Sequence, residues 1–159
     1  MKEIAKKVSE LIKKYGSSDP FEICEKMGII VHDHDLPEHI NGFASSYENI
    51  PFMVLNSSLN YYNRKITAAH ELGHIILHGA TNSVNLSMNT SFCTSKYERE
   101  ADCFAAHLLI AEEISELEDM ECVTVQDISM VTHMPLSMSR ECEGWGEELT
   151  SLREALGIN

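Results

Sequence analysis

His70-Glu71-Leu72-Gly73-His74 is the segment of this 159-residue chain whose residue types and spacing most directly imply chemistry. It has the form HExxH. In a helix, four residues advance the chain by about 400°, so the two imidazoles stand one above the other on one face. Both can then reach a single tetrahedral Zn²⁺ at the roughly 2.0–2.1 Å expected of a zinc–imidazole bond. Glu71 is turned about 100° from His70. It therefore points beside the metal rather than at it, next to the open fourth position where a water would be activated. The chemistry so defined is metal-assisted hydrolysis, with His70 and His74 as ligands and Glu71 as general base.

A third ligand is needed. Glu98-Arg99-Glu100-Ala101-Asp102 offers three acids, the first of them 24 residues after His74. On a helix Glu98 and Asp102 share a face, while Glu100 lies about 200° from Glu98. Glu98 and Asp102 can thus address one site together, Glu98 as ligand and Asp102 as hydrogen-bond acceptor for a ligand imidazole. This spacing favours Glu98 over Glu100 without eliminating Glu100.

The two runs His70-Glu71-Leu72-Gly73-His74-Ile75-Ile76-Leu77-His78 and Glu98-Arg99-Glu100-Ala101-Asp102-Cys103-Phe104-Ala105-Ala106-His107-Leu108-Leu109 resemble the ImmA/IrrE family of zinc metallopeptidases. Upstream, Asp19-Pro20-Phe21, Gly28-Ile29, Leu36-Pro37, Asn41-Gly42-Phe43 and Leu55-Asn56 extend the resemblance to about residues 15–110. It implies a zincin-like fold and a gluzincin-type ExxxD arrangement, in which Glu98 binds zinc and Asp102 supports a ligand. It also implies an intracellular protein of a phage or mobile element whose protein substrate is a helix-turn-helix repressor. The second run departs from the family in ending Leu108-Leu109-Ile110-Ala111 rather than Leu-Leu-Met-Pro, which bears on helix termination and not on metal ligation.

Other chemistry-bearing residues have plainer readings. His78 follows His74 by four residues, but a helix C-terminus favours a histidine in any case. His107 reads as a surface residue. In His32-Asp33-His34-Asp35, strand alternation puts the histidines on one face and the aspartates on the other, so the four cannot converge on a second metal. Cys93 could approach the zinc only by virtue of lying in a polar loop. Tyr47, Tyr61, Tyr62 and Tyr97 are all candidates for a hydrogen bond to the transition state, and the sequence does not choose among them.

The elements that must position the site follow from periodicity and punctuation. Residues 2–15 carry Ile4, Val8, Leu11, Ile12 and Tyr15 at helical spacing, and Gly16 ends the run. Asp19 as N-cap, Pro20 at the first position, Glu22 completing a capping box and Gly28 as stop define a short second helix. Ile29-Ile30-Val31 reads as a strand. Gly42–Ala44 and Pro51–Asn56 read as a hairpin around Glu48-Asn49, with 51–56 as an edge open to an extended substrate. Ser57 or Ser58 caps a helix over 59–78 whose apolar set is Ile66, Ala69, Leu72, Gly73, Ile76 and Leu77. Gly73 there permits close approach of another helix.

Residues 79–95 are uncharged, with Ser, Thr and Asn at 10 of 17 positions, and read as a long surface loop. A helix resumes near Lys96 and runs to about Ile110. After an acidic stretch over 112–121, Thr124–Thr132 and Leu136–Leu156 read as two further helices around His133-Met134-Pro135. One ββ unit among helices makes an α+β protein, divided into a metallopeptidase core over 1–110 and an acidic helical region over 111–159 packed on the same domain.

Composition bounds the alternatives. Apolar residues are 43% and charged residues 23%, as in ordinary globular chains. The formal charge is −13, and residues 98–159 hold 15 acids against 3 bases. Such a surface is unsuited to direct nucleic-acid binding, although 125–150 has helix-turn-helix spacing; Arg140 is its only base. It suits a basic protein partner better. The five unpaired-looking cysteines and the charged N-terminus without an apolar run point to a reducing cytoplasm and no membrane segment. The competing function is a non-catalytic zinc module that sequesters a repressor. An intact Glu71 argues against it, because a purely structural site has no use for a base.

Overall fold

Ile4, Val8 and Ile12 turn inward from the amphipathic helix α1 (Lys2–Tyr15), while its lysines stay in solvent. Gly16, at φ 65°, ends it and donates its N–H to Ile12 O at 2.7 Å. The computed structural model describes residues 2–79, 91–114 and 123–141.

Helix α2 (Pro20–Met27) starts as expected on Asp19, whose carboxylate accepts the N–H groups of Phe21 and Glu22 at 2.7 and 3.0 Å. The expected capping box does not form. Ser17 Oγ already accepts the Asp19 N–H, so Glu22 bonds Ser17 and Lys26 instead. Gly28 closes the helix in the left-handed region.

The sheet has three strands among the described residues, β1 (Ile30–His34), β2 (Gly42–Tyr47) and β3 (Ile50–Asn56), in the order β1-β3-β2. The β2–β3 hairpin turns on Glu48-Asn49, both at positive φ, which matches the twist of a two-residue connection. β1 runs parallel to β3 on its other side, pairing Ile30 with Phe52 and His34 with Asn56. This corrects the expectation for 51–56. β3 is the central strand, hydrogen-bonded on both sides, and the open edges belong to β1 and β2. The Asn56 side chain ties the β1–β2 connection to the sheet, donating to Leu36 O and Ile40 O while accepting from Ser58.

Helix α3 (Tyr61–His78) is capped by Asn60, which accepts the Asn63 N–H at 2.9 Å; Ser58, one of the expected caps, is held by Asn56 instead. Helix α4 (Ser91–Glu113) starts before Lys96 and runs past Ile110. Its early residues contain neither Gly nor Pro and can propagate a helix. Its last turns are retained because Ile110, Ala111 and Ile114 are buried and Glu112 pairs with the nearly buried Lys65. Residues 80–90 of the expected loop, the acidic stretch from 115 to 121, and 142–156 of the expected last helix lie outside the described residues, as does the side chain of Cys93.

Helices α3 and α4 form the centre. The sheet and α2 pack on α3, α1 packs on α4, and α5 (Val125–Thr132) and α6 (Leu136–Glu141) pack on α4 as well. α5 begins on a capping box between Thr124 and Asp127, and His133 turns the chain at φ 57°. Phe104, Leu72, Leu108, Ile110, Met53 and Leu55 fill the middle. At Gly73 the helices come so close that a Cβ would stand 3.1 Å from Phe104 Cδ1 and 3.2 Å from the Ala101 backbone.

Two predictions follow from this packing. The backbone of Ala101 cannot move aside, so Gly73→Val should cost about 1–3 kcal/mol by overpacking, measured by urea unfolding; unchanged stability would show that the helices are not in this contact. Burial, with the neighbouring Asp19 charge, pushes the Cys24 thiol up to about 12. Cys24 should resist alkylation at pH 8 until the chain is unfolded, as read by peptide mass spectrometry.

Candidate metal centre

Helix α3 turns His70 and His74 toward α4, where Glu98 meets them. The two Nε2 atoms are 3.1 Å apart, His70 Nε2 is 3.3 Å from one Glu98 carboxylate oxygen, and His74 Nε2 is 3.5 Å from the other. Among the described residues these three form the one cluster of its kind. A tetrahedral ion with bonds near 2.05 Å has ligand–ligand edges of about 3.3 Å, which is the scale of all three separations. A proton can bridge only one pair of these atoms, whereas a cation satisfies the whole set. The residues present therefore fit a metal.

Asp102 does what its spacing predicts. Its carboxylate accepts from His70 Nδ1 at 2.8 Å, which leaves Nε2 of that ring facing the cluster. His74 is placed differently. Its Nδ1 is buried with no hydrogen-bond partner among the described residues, and the ring packs between His70, at 4.7 Å between centroids, and His78, at 5.8 Å.

The electrostatics call for positive charge at this point. Hydrogen bonds from His70 and His74 hold the Glu98 carboxyl well below the usual range. Burial works against protonation of His70, but the bonds to Asp102 and Glu98 outweigh it and push that imidazole up to about 10. Glu71 is buried beside the cluster, and burial raises its carboxyl above the ordinary value. The His70 and His74 charges and the backbone N–H of Ala44 on β2 work the other way.

His70, Glu71, Glu98 and Asp102 line a cavity of about 330 Å³ together with Asn41, Gly42, Ile66, Thr67 and Met138. Asn41, Gly42 and Met138 were not site candidates from the sequence, and nor was the Ala44 amide; a backbone donor leaves no signature in residue type. Gly42 carries a detectable one. A Cβ there would come within 2.8 Å of Val54 O and 2.9 Å of Thr67 Cγ2, so β2 can lie against α3 only with glycine at this position.

The remaining candidates fall outside the cluster. Glu100 sits on the far side, with His78 at 3.5 Å and Lys96 at 3.7 Å. His78 rests on the Tyr97 ring, and neither lines the cavity. Tyr47, Tyr61 and Tyr62 do not line it either. His32 and His34 are exposed on β1, and Asp33 pairs with Arg64 at 2.9 Å. His107, expected at the surface, is fully buried with Nδ1 donating to Cys103 O at 2.7 Å. It lies on the face of α4 that meets the core, where an imidazole is tolerated once its N–H is satisfied.

A helix bearing HExxH, a glutamate from the next helix and a small sheet alongside define a zincin-like domain. Comparison with known proteins agrees: the chain belongs to the peptidase family M78, the IrrE N-terminal-like domain, which matches residues 24–122. It is 35% identical to "Uncharacterized immunity region protein 2" of Bacillus phage phi105 over 133 residues, 83% of this chain and 84% of that protein. It is 27% identical to Metallopeptidase ImmA of Bacillus subtilis (strain 168) over 113 residues, 71% of this chain and 66% of that protein. No solved structure gives a significant match. Among the described residues no helix is long and apolar enough to cross a membrane.

The geometry separates the two acids that the sequence left open. Purified protein should hold about one zinc per chain by elemental analysis. Glu98→Gln should remove most of it, and Asp102→Asn should weaken binding by about 10–100-fold, whereas Glu100→Gln should leave it in place. Loss of metal on Glu100→Gln alone would overturn the assignment.

Proposed function

We propose that this chain is a zinc-dependent endopeptidase acting on a protein substrate, a helix-turn-helix repressor of a phage or mobile element. The observation that carries the reading is the placement of Glu71, buried beside the His70–His74–Glu98 cluster, hydrogen-bonded by Ala44 and open to the cavity. A structural metal site needs no such carboxylate. The similarity to a protein named for a phage immunity region, and to a named metallopeptidase, supports the substrate class and the reaction class respectively.

In this reading His70, His74 and Glu98 hold zinc, which when bound supplies a Lewis acid for the scissile carbonyl and acidifies a water. Glu71 takes a proton from the attacking water and returns it to the amine that leaves when the C–N bond breaks. Asp102 holds the His70 ring in the tautomer that presents Nε2 to the cluster. The Ala44 N–H fixes the rotamer of Glu71 and ties β2 to the site. An extended substrate pairs with the outer edge of β2, not with β3, because β2 is the open edge that borders Glu71. The acidic balance of residues 98–159 favours encounter with a basic, DNA-binding partner.

Glu71→Gln keeps the shape of the side chain and removes its capacity to accept a proton. It should leave zinc content and thermal stability nearly unchanged. Cleavage of a helix-turn-helix repressor supplied as substrate should fall by about 10²–10⁴-fold, followed by gel and mass spectrometry. If wild type and variant relieve repression equally and no peptide bond is cut, the protein is a sequestering module instead.

A further inference from the structure

A second cavity, of about 240 Å³, shares no lining residue with the one at the metal centre. Helix α3 brings Tyr61 and Tyr62 to it, α4 brings Glu112 and Glu113, and the turn after α5 brings His133. Both tyrosines are open to solvent, Tyr61 at 69% and Tyr62 at 48% exposure. Contacts within the chain hold them: the two rings meet edge to face at 5.4 Å between centroids, and Tyr62 rests on the His133 ring at 3.8 Å. The charges are unequally engaged. Among the described residues Lys65 is the one lysine or arginine lining the cavity. Its nearly buried ammonium is bound by Glu112, with Asp19 at 3.9 Å. Glu113 is half-buried and pairs with no lysine or arginine among the described residues.

We propose that this cavity receives the side chain of an arginine carried by a basic protein partner; the proposal rests on the reading of such a partner above. Its size suits one long side chain, since pockets that enclose whole small molecules run to about 300–1,000 Å³. A guanidinium is planar and weakly hydrated, so it can stack on an aromatic ring while its N–H groups bond a carboxylate. The exposed tyrosines and Glu113 supply both kinds of partner. Leu109 and Val131 supply apolar contact for the methylene stem. An anion is disfavoured, because Glu112 and Asp19 already engage the Lys65 charge and Glu113 would repel a further carboxylate or phosphate. Lysine is the poorer fit among cations, since its ammonium is compact, strongly hydrated and unable to stack. Tyr61 and Tyr62 precede His70 by nine and eight residues on α3, which is about 12–14 Å along the axis. A partner anchored here by one arginine is thus held within a few extended residues of the metal centre.

The test is an NMR titration of the full chain, zinc-loaded and metal-free, with the Nα-acetyl amides of arginine, lysine and citrulline and with free arginine. Citrulline has the shape of arginine without its charge. The arginine amide should bind with a Kd of about 1 mM and shift the ring signals of Tyr61 and Tyr62, equally with and without zinc. The citrulline and lysine amides should bind at least about threefold more weakly. Free arginine should also bind more weakly, because its own carboxylate meets Glu112 and Glu113. Glu113→Gln should weaken the arginine amide by about three- to tenfold, and joint Tyr61→Leu and Tyr62→Leu by at least about twofold. Equal binding of the citrulline amide, or an affinity unchanged by Glu113→Gln, would overturn the guanidinium site. Tighter binding of free arginine would overturn a protein as its source in favour of a small cation. Either result leaves cleavage at the metal centre standing, whereas a chain that binds the arginine amide but cuts no repressor would refute the peptidase reading alone.

Discussion

The contact between α3 and α4 at Gly73 governs the rest of the molecule. Gly73 lies between Glu71 and His74, and it meets Ala101, which lies between Glu98 and Asp102. The absence of a side chain at one position therefore sets how far the carboxylates on one helix stand from the imidazoles on the other. With a Cβ clearance of only 3.1–3.2 Å there is no slack in this approach. Separations of 3.1–3.5 Å among the two Nε2 atoms and the Glu98 carboxylate oxygens are its consequence. The core reinforces it, since Leu72 and Phe104 are buried on either side of the same crossing.

The sheet contributes in a second way. Among the described residues its strands add nothing to the His70–His74–Glu98 cluster, yet β2 supplies the Ala44 amide to Glu71 and the bare backbone of Gly42 to the cavity wall. Asn56 fixes the loop between β1 and β2 and so fixes where β2 begins. The two histidines are also supported unequally. Asp102 orients His70 by a hydrogen bond, while His74 depends on its ring neighbours. A chain can hold a ligand by either means, but only the first adds negative charge to the centre.

Much of this was legible in the sequence because it is local. Helical spacing alone put His70 and His74 on one face, set Glu71 aside from them, and paired Glu98 with Asp102. Asp19, Gly16 and Gly28 marked their helix ends correctly, and Glu48-Asn49 marked the hairpin. What was missed depends on long-range packing. Strand order cannot be read from alternation, so β3 looked like an edge until β1 was found beside it. His107 looked like a surface residue because its polarity was visible and the burial of its helix face was not. Asn60 replaced Ser57 or Ser58 as cap because Asn56 had already engaged Ser58. Met138 reaches the cavity only through the fold of α5 and α6 onto α4, and no spacing rule connects it to His70, which lies 68 positions earlier.

The central claim is that one metal is held by two imidazoles and a carboxylate from adjacent helices. X-ray absorption at the zinc edge on the loaded protein tests it most directly. The account predicts only nitrogen and oxygen neighbours at about 2.0–2.1 Å, with the outer-shell scattering of two imidazole rings, and loss of one ring contribution in His74→Ala. A sulfur neighbour at about 2.3 Å, or a spectrum unchanged by His74→Ala, would contradict it.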